Sequence, residues 1–196
     1  MMRAKHLTVL GAVMITVTSA FAQRPTLPFV DKGACPFEGC AYQRDWTAKA
    51  RVVAYQTWDS HAPVRSVFVI EPGETVTAMT GVVLVTSAGR AQIRRRMTVP
   101  GLVIEPGTLV YLMTPHGEGH FTAFVNRVPV DMDIANLEQP TTPGAGYSGC
   151  VRTRTCDGKV LDYPKLTWWV QIRNAAGRIG WTSHTDDFDG KDALGT

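Results

Sequence analysis

The sequence predicts an all-β protein built around a repeated unit, and three observations carry that reading. Residues 69–80 (VIEPGETVTAMT) and residues 103–114 (VIEPGTLVYLMT) align without a gap, with eight of twelve positions identical. Each copy is an apolar run, a Glu-Pro-Gly and a second apolar run. Pro72-Gly73 and Pro106-Gly107 break helices and suit a turn between two strands. No segment of ten or more residues keeps a 3.6-residue apolar period, whereas 18 Gly and 12 Pro fit short strands joined by tight turns. The spacing of the copies would also match a helical repeat array, but Pro-Gly in each copy opposes helix. Two copies make a duplicated β unit rather than a solenoid.

Taken in order, the chain opens on a secretory signal over residues 1–22. Arg3 and Lys5 supply the positive start, residues 7–18 a short apolar run, and Ala20 and Ala22 the small residues that a signal peptidase reads. Cleavage is expected at Ala22–Gln23, with no cysteine following for lipid attachment. The apolar run is shorter than the roughly 20 residues a bilayer span needs, so the expectation is an exported protein, periplasmic or extracellular, without a membrane span. Residues 23–34 read as a flexible lead and residues 50–55 as a short strand. Residues 82–86 and 91–95 flank Ser87-Ala88-Gly89-Arg90 and read as a hairpin. A second hairpin is read around Asn126-Arg127. Residues 133–139 allow a helical turn or two, and a long irregular excursion runs from residue 139 to Pro164. Residues 168–173 alternate, and Asn174-Ala175-Ala176-Gly177 turns the chain into residues 178–181. The expected domains are an N-terminal module over residues 23–100, a C-terminal module over residues 101–185 with an insertion at 131–164, and an acidic tail over residues 186–196.

Composition narrows the function classes. With 44% hydrophobic and 19% charged residues among 196, the chain has material for a core, which excludes wholesale disorder. Loss of the signal, with its two cations and no acids, leaves a nearly neutral mature chain, which argues against a strongly basic nucleic-acid binder. The four cysteines, Cys35, Cys40, Cys150 and Cys156, all follow the signal. An even number in an exported chain points to disulfides. Three connectivities are open, and the close pairs Cys35–Cys40 and Cys150–Cys156 are the economical one. Zinc is the alternative, but the gaps exceed the common knuckle spacing and neither loop holds a histidine.

The motif strands resemble the bacterial type of SH3-like barrel (SH3b). Gly107-Thr108-Leu109-Val110-Tyr111-Leu112 matches a Gly turn and the strand after it. Trp168-Trp169-Val170-Gln171-Ile172-Arg173 and Gly177-Arg178-Ile179-Gly180-Trp181 match an aromatic strand, a Gly turn and a closing Gly-Trp. Gly73 begins an equivalent first module that lacks its own closing Gly-Trp. The resemblance therefore implies either two tandem SH3-like modules or one composite barrel with a long insertion. It also implies a binding module whose aromatics, Tyr111, Trp168, Trp169 and Trp181, serve a peptide groove. Adjacent Trp168 and Trp169 must point to opposite faces of a strand. One is expected in the core and the other at the surface, with Trp181 belonging to the fold.

Other motifs read less well as chemistry. Ser148-Gly149-Cys150-Val151-Arg152 looks like the nucleophile motif of L,D-transpeptidases, but the hydroxyl residue is misplaced and Cys156 would trap the thiol. His116-Gly117-Glu118-Gly119-His120 has the i, i+4 histidines of a metalloprotease helix, but two glycines favour a hairpin turn. Asp186 to Asp192 is a poor calcium loop because Thr185 and Thr196 stand where acids are needed. Arg90, Arg94, Arg95 and Arg96 read as a solvated strand edge. His61 and His184 read as surface residues. The expectation is a non-catalytic exported module with no cofactor or metal, recognising a cell-wall peptide or an envelope protein. The alternatives are a cysteine-dependent cell-wall enzyme and a structural accessory domain without a ligand.

Overall fold

A computed structural model describes residues 24–59, 65–140, 150 and 156–194. The signal segment and its cleavage point, His61, and all of the 148–152 motif except Cys150 lie outside the described residues. No helix of the described chain is long and apolar enough to cross a membrane.

The fold is all-β. The chain first lays down β1 (Phe29–Lys32), β2 (Arg44–Ala48), β3 (Val52–Tyr55), β4 (Ser66–Ile70) and β5 (Thr75–Ser87). It then builds β6 (Gly89–Ile93), β7 (Met97–Val99), β8 (Leu102–Ile104), β9 (Leu109–Gly117), β10 (His120–Val125), β11 (Val128–Asp133), β12 (Leu137–Glu138) and β13 (Gly158–Asp162). Finally it returns as β14 (Lys165–Arg173), β15 (Ile179–Thr182), a 3-10 turn at Thr185–Asp187 and β16 (Phe188–Asp189). The first sheet runs β16-β2-β5-β14-β15-β3-β4, with β1 also paired to β5. The second runs β11-β10-β9-β6-β13-β12, and β7 and β8 pair separately.

The repeat is a structural one. Each Pro-Gly turn is clasped by the strand that opens its unit. Gly73 N–H donates to Ala48 O at 2.8 Å and Ala48 N–H to Glu74 O at 2.9 Å. In the second copy Gly107 N–H donates to Ile93 O at 2.8 Å and Ile93 N–H to Thr108 O at 3.0 Å. Both glycines sit at positive φ, +86° and +87°, which a side chain would strain. The likeness extends to the next strands. Gly81 pairs with Val170 and Ala78 with Ile172 in the first sheet, as Pro115 pairs with Phe121 and Leu112 with Ala123 in the second. Likewise β2 pairs with β16 as β6 pairs with β13, antiparallel in both. The second unit is thus inserted between β5 and β14 of the first.

This nesting runs across the expected division at residue 100. That boundary falls between β7 and β8, and β14, placed in the C-terminal module, pairs along β5 of the N-terminal one. It also corrects the hairpin around residues 87–90. Strands β5 and β6 belong to different sheets, because Gly89 is where the chain crosses between them. The expected lead contains β1, which pairs with Val82–Val85 of β5 because Phe29 finds Phe124 at 5.6 Å, edge to face. Residues 133–139 hold a turn, with Leu137 N–H donating to Ile134 O at 2.9 Å, and the strand β12 rather than a helix. The acidic tail is not wholly solvated: Phe188 is buried and β16 pairs with β2. The hairpins at Asn126-Arg127, where both residues have positive φ, and at residues 174–177 form as expected.

Two hydrophobic clusters result. The first gathers Trp46, Phe68, Ile70, Val83, Val85, Trp168, Val170 and Phe188 inside the curled first sheet. The second gathers Ile93, Val110, Leu112, Phe121, Met132 and Leu137. Strand β9 serves both: Val110 and Leu112 face the second cluster, while Tyr111 and Met113 face the first. That double burial explains its nearly continuous apolar run.

Trp168 anchors the first core through a polar link. Its indole N–H donates to Tyr42 Oη at 2.8 Å, and the Tyr42 hydroxyl donates to Ala34 O at 2.6 Å. Burial pushes the Tyr42 phenol up from its ordinary value to about 12, and the Trp168 hydrogen bond partly offsets that by favouring the phenolate. The unfolded phenol ionises near 10. The stabilising linkage is therefore complete below pH 10 and is lost as pH rises through about 12. A pH series of thermal melts should show an alkaline fall in that window, and the fall should be smaller in Tyr42→Phe.

Candidate functional site

The structure separates the four aromatics that the sequence nominated. Trp168 is only 7% exposed and lies among Phe37, Tyr42 and Trp46, with ring centroids 5.6–6.2 Å away. Tyr111 is also buried. Both therefore belong to the core and not to a groove. Trp169, next along β14, points to the opposite, outer face and is half-buried, as strand alternation requires. Trp181 does not enter the core. It is half-buried on that same outer face, opposite Gln171 on one side and Tyr55 on the other. Its neighbour Gly180 takes the inward position, where an added Cβ would sit 2.9 Å from Ala54 Cβ. The closing Gly-Trp thus places the small residue inside and the indole outside.

On this outer face lies a cleft of about 320 Å³ lined by Tyr55, Trp58, Asp59, Trp169, Ser183 and His184. Tyr55 and Trp169 stand edge to face, with centroids 6.4 Å apart and planes at 73°. Strand β3 supplies Tyr55, and the segment leaving it supplies Trp58 and Asp59. His184 opens the 3-10 turn, with Nδ1 3.5 Å from Asp187 Oδ2. Sequence reasoning found Trp169 but missed Tyr55 and Trp58. They fall outside the motif strands, and only the pairing of β3 with β15 brings them beside it.

The second unit carries a polar counterpart. By register, His120 and Asp131 occupy the places that Trp169 and Trp181 hold in the first unit. His120 Nδ1 lies 3.2 Å from Asp131 Oδ1, and His116 Nε2 lies 2.7 Å from Thr122 Oγ1. These residues border an open groove of about 1140 Å³ whose other wall is the Cys35–Cys40 loop. The His116–His120 stretch is a hairpin turn joining β9 to β10, as its glycines suggested. Gly117 there has φ of +94°, and an added Cβ would lie 2.6 Å from Glu38 N, so the hairpin abuts the loop. Among the described residues, no group of three or more His, Cys, Asp or Glu is placed to hold a metal.

The cysteines are bonded as Cys35–Cys40 and Cys150–Cys156, with Cα separations of 5.7 and 5.8 Å. The first closes a loop tied to the chain's end, where Ala193 N–H donates to Gly39 O at 2.6 Å. The second begins against the second unit, where Cys150 N–H donates to Ala135 O at 2.8 Å. Each small loop contributes about 2 kcal/mol in the chain-entropy model. Titration of the native protein with a thiol reagent should find no reactive cysteine, and denaturation without reductant should expose none. Two disulfides suit an oxidising compartment. The arginine run is largely paired: Arg90 with Asp162 at 2.5 Å, Arg94 with Glu138 at 2.9 Å and Arg96 with Glu105 at 3.3 Å.

No protein-family model matches the chain, and neither does a curated protein or a solved structure.

Proposed function

We propose that this chain is an exported, non-catalytic binding module whose outer-face aromatic cleft takes a cell-wall peptide. The observation that carries the reading is the convergence of Tyr55, Trp58 and Trp169 around one cleft of about 320 Å³. Half-exposed indoles on a sheet face cost solubility and serve contact, because Trp and Tyr supply much of the energy in recognition surfaces. The SH3-like reading is supported by the strand order of the first sheet, in which β15 with its Gly180-Trp181 closes onto β3. Export is supported by the two disulfides and the apolar start of the sequence. The cysteine-enzyme alternative loses support because Cys150 is bonded to Cys156, which leaves no thiolate.

Sedimentation of the mature protein with purified cell wall tests the reading. The wild type should co-sediment, and Trp169→Ala should lose at least about tenfold in retention, within the range of a binding hot spot. Equal retention of the two proteins, or none by either, would contradict it.

A further inference from the structure

The lining of the aromatic cleft bears on the charge of its ligand, and this inference rests on the reading of the cleft as the binding site. Tyr55 and Trp169 meet at 73° and form a corner, with Trp58 as a further aromatic wall. Ring faces carry the negative part of the aromatic quadrupole. Asp59 lines the same cleft, and Asp187 stands 3.5 Å behind His184. No lysine or arginine is among the described lining residues. An anionic group entering the cleft would meet aromatic side chains and the Asp59 carboxylate, whereas a cation gains from the rings, more so as it sheds water. The volume is at the lower end for ligand pockets, which suits one side chain rather than a folded segment. We propose that the cleft selects an alkylammonium group, the charged end of a lysine-like side chain on the bound peptide.

The test titrates the mature protein with Nα-acetyl-lysine amide and, separately, with Nα-acetyl-norleucine amide, which keeps the apolar stem without the charge. Tryptophan fluorescence follows binding. The lysine compound should bind about tenfold tighter, an effect of the size expected for a cation over aromatic faces. Its affinity should fall with added salt, drop several-fold in Asp59→Asn, and be lost in Trp169→Ala and Trp58→Ala but kept in Trp169→Phe. Equal binding of the norleucine compound, lost in Trp169→Ala, would overturn the ammonium preference while leaving the cleft as the site. Binding that ignores Trp169→Ala, or no binding of either compound, would overturn the proposal itself. Choline bound more tightly than the lysine compound would overturn the peptide side chain as the source of the cation.

Discussion

Trp168→Ala is expected to destabilise the protein by about 3–5 kcal/mol, the cost of truncating a buried aromatic. The indole lies among three other rings, and its removal also strips Tyr42 of a hydrogen-bond donor. For a chain of this size the melting temperature should fall by roughly 6–20 °C. Trp169→Ala, one residue along, should cost on the order of 1 kcal/mol, because its ring lies half-buried on the outer face. The two variants should separate fold from function: the first loses stability, the second loses ligand. Similar stability losses at both positions, read from denaturant midpoints, would contradict the assignment of faces.

Gly89→Ala is the second large effect. Gly89 is the point at which the chain crosses from the first sheet to the second, and the returning chain passes directly beside it. A Cβ there would lie 2.7 Å from Pro164 N and 2.8 Å from Asp162 O. Both are backbone atoms of the return crossing, so no side-chain rotation relieves the overlap. Overpacking of this kind costs about 1–3 kcal/mol. The loss should appear as a lower melting temperature together with faster amide exchange in β6 and β13, which flank the crossing. A melting temperature equal to the wild type would show that the crossing is looser than this packing.

Much of the fold was legible in the sequence because local chemistry dictated it. The duplicated Glu-Pro-Gly turns, the Asn126-Arg127 hairpin and the turn at residues 174–177 each follow from residues that set backbone angles. The two disulfides followed from loop economy. What the sequence hid was non-local. Ser87-Ala88-Gly89-Arg90 looks like a hairpin, but whether its flanking strands pair is decided by β14, which takes the edge of β5 from a distance of some eighty residues in the chain. The segment expected as a flexible lead is ordered for the same reason, since β1 is held by partners far downstream. Phe188 is one apolar residue in an acidic stretch, and only the site against Trp46, 5.8 Å away, makes it a core residue.

The cleft was half legible. Alternation showed that one of Trp168 and Trp169 faces outward, but not which one, because either register of β14 fits the pattern. The inward set Trp168, Val170 and Ile172 is fixed by the match of β14 to β5. Trp181, expected to belong to the fold, stands half-buried on the outer face because the tight space beside Ala54 and Phe68 admits only Gly180. Tyr55 and Trp58 carried no signal of their own. They matter because β3 lies next to β15, a neighbour relation that spans most of the chain.

The most direct test of the account is a titration of the mature, ¹⁵N-labelled protein with soluble cell-wall peptides, following the indole N–H signals of its five tryptophans. Assignments would come from single Trp→Phe variants. The signals of Trp58 and Trp169 should move together and saturate with one affinity, while those of the buried Trp46 and Trp168 stay in place. Movement confined to Trp46 or Trp168, or no movement of any indole while the protein still sediments with cell wall, would contradict the outer-face cleft as the binding site.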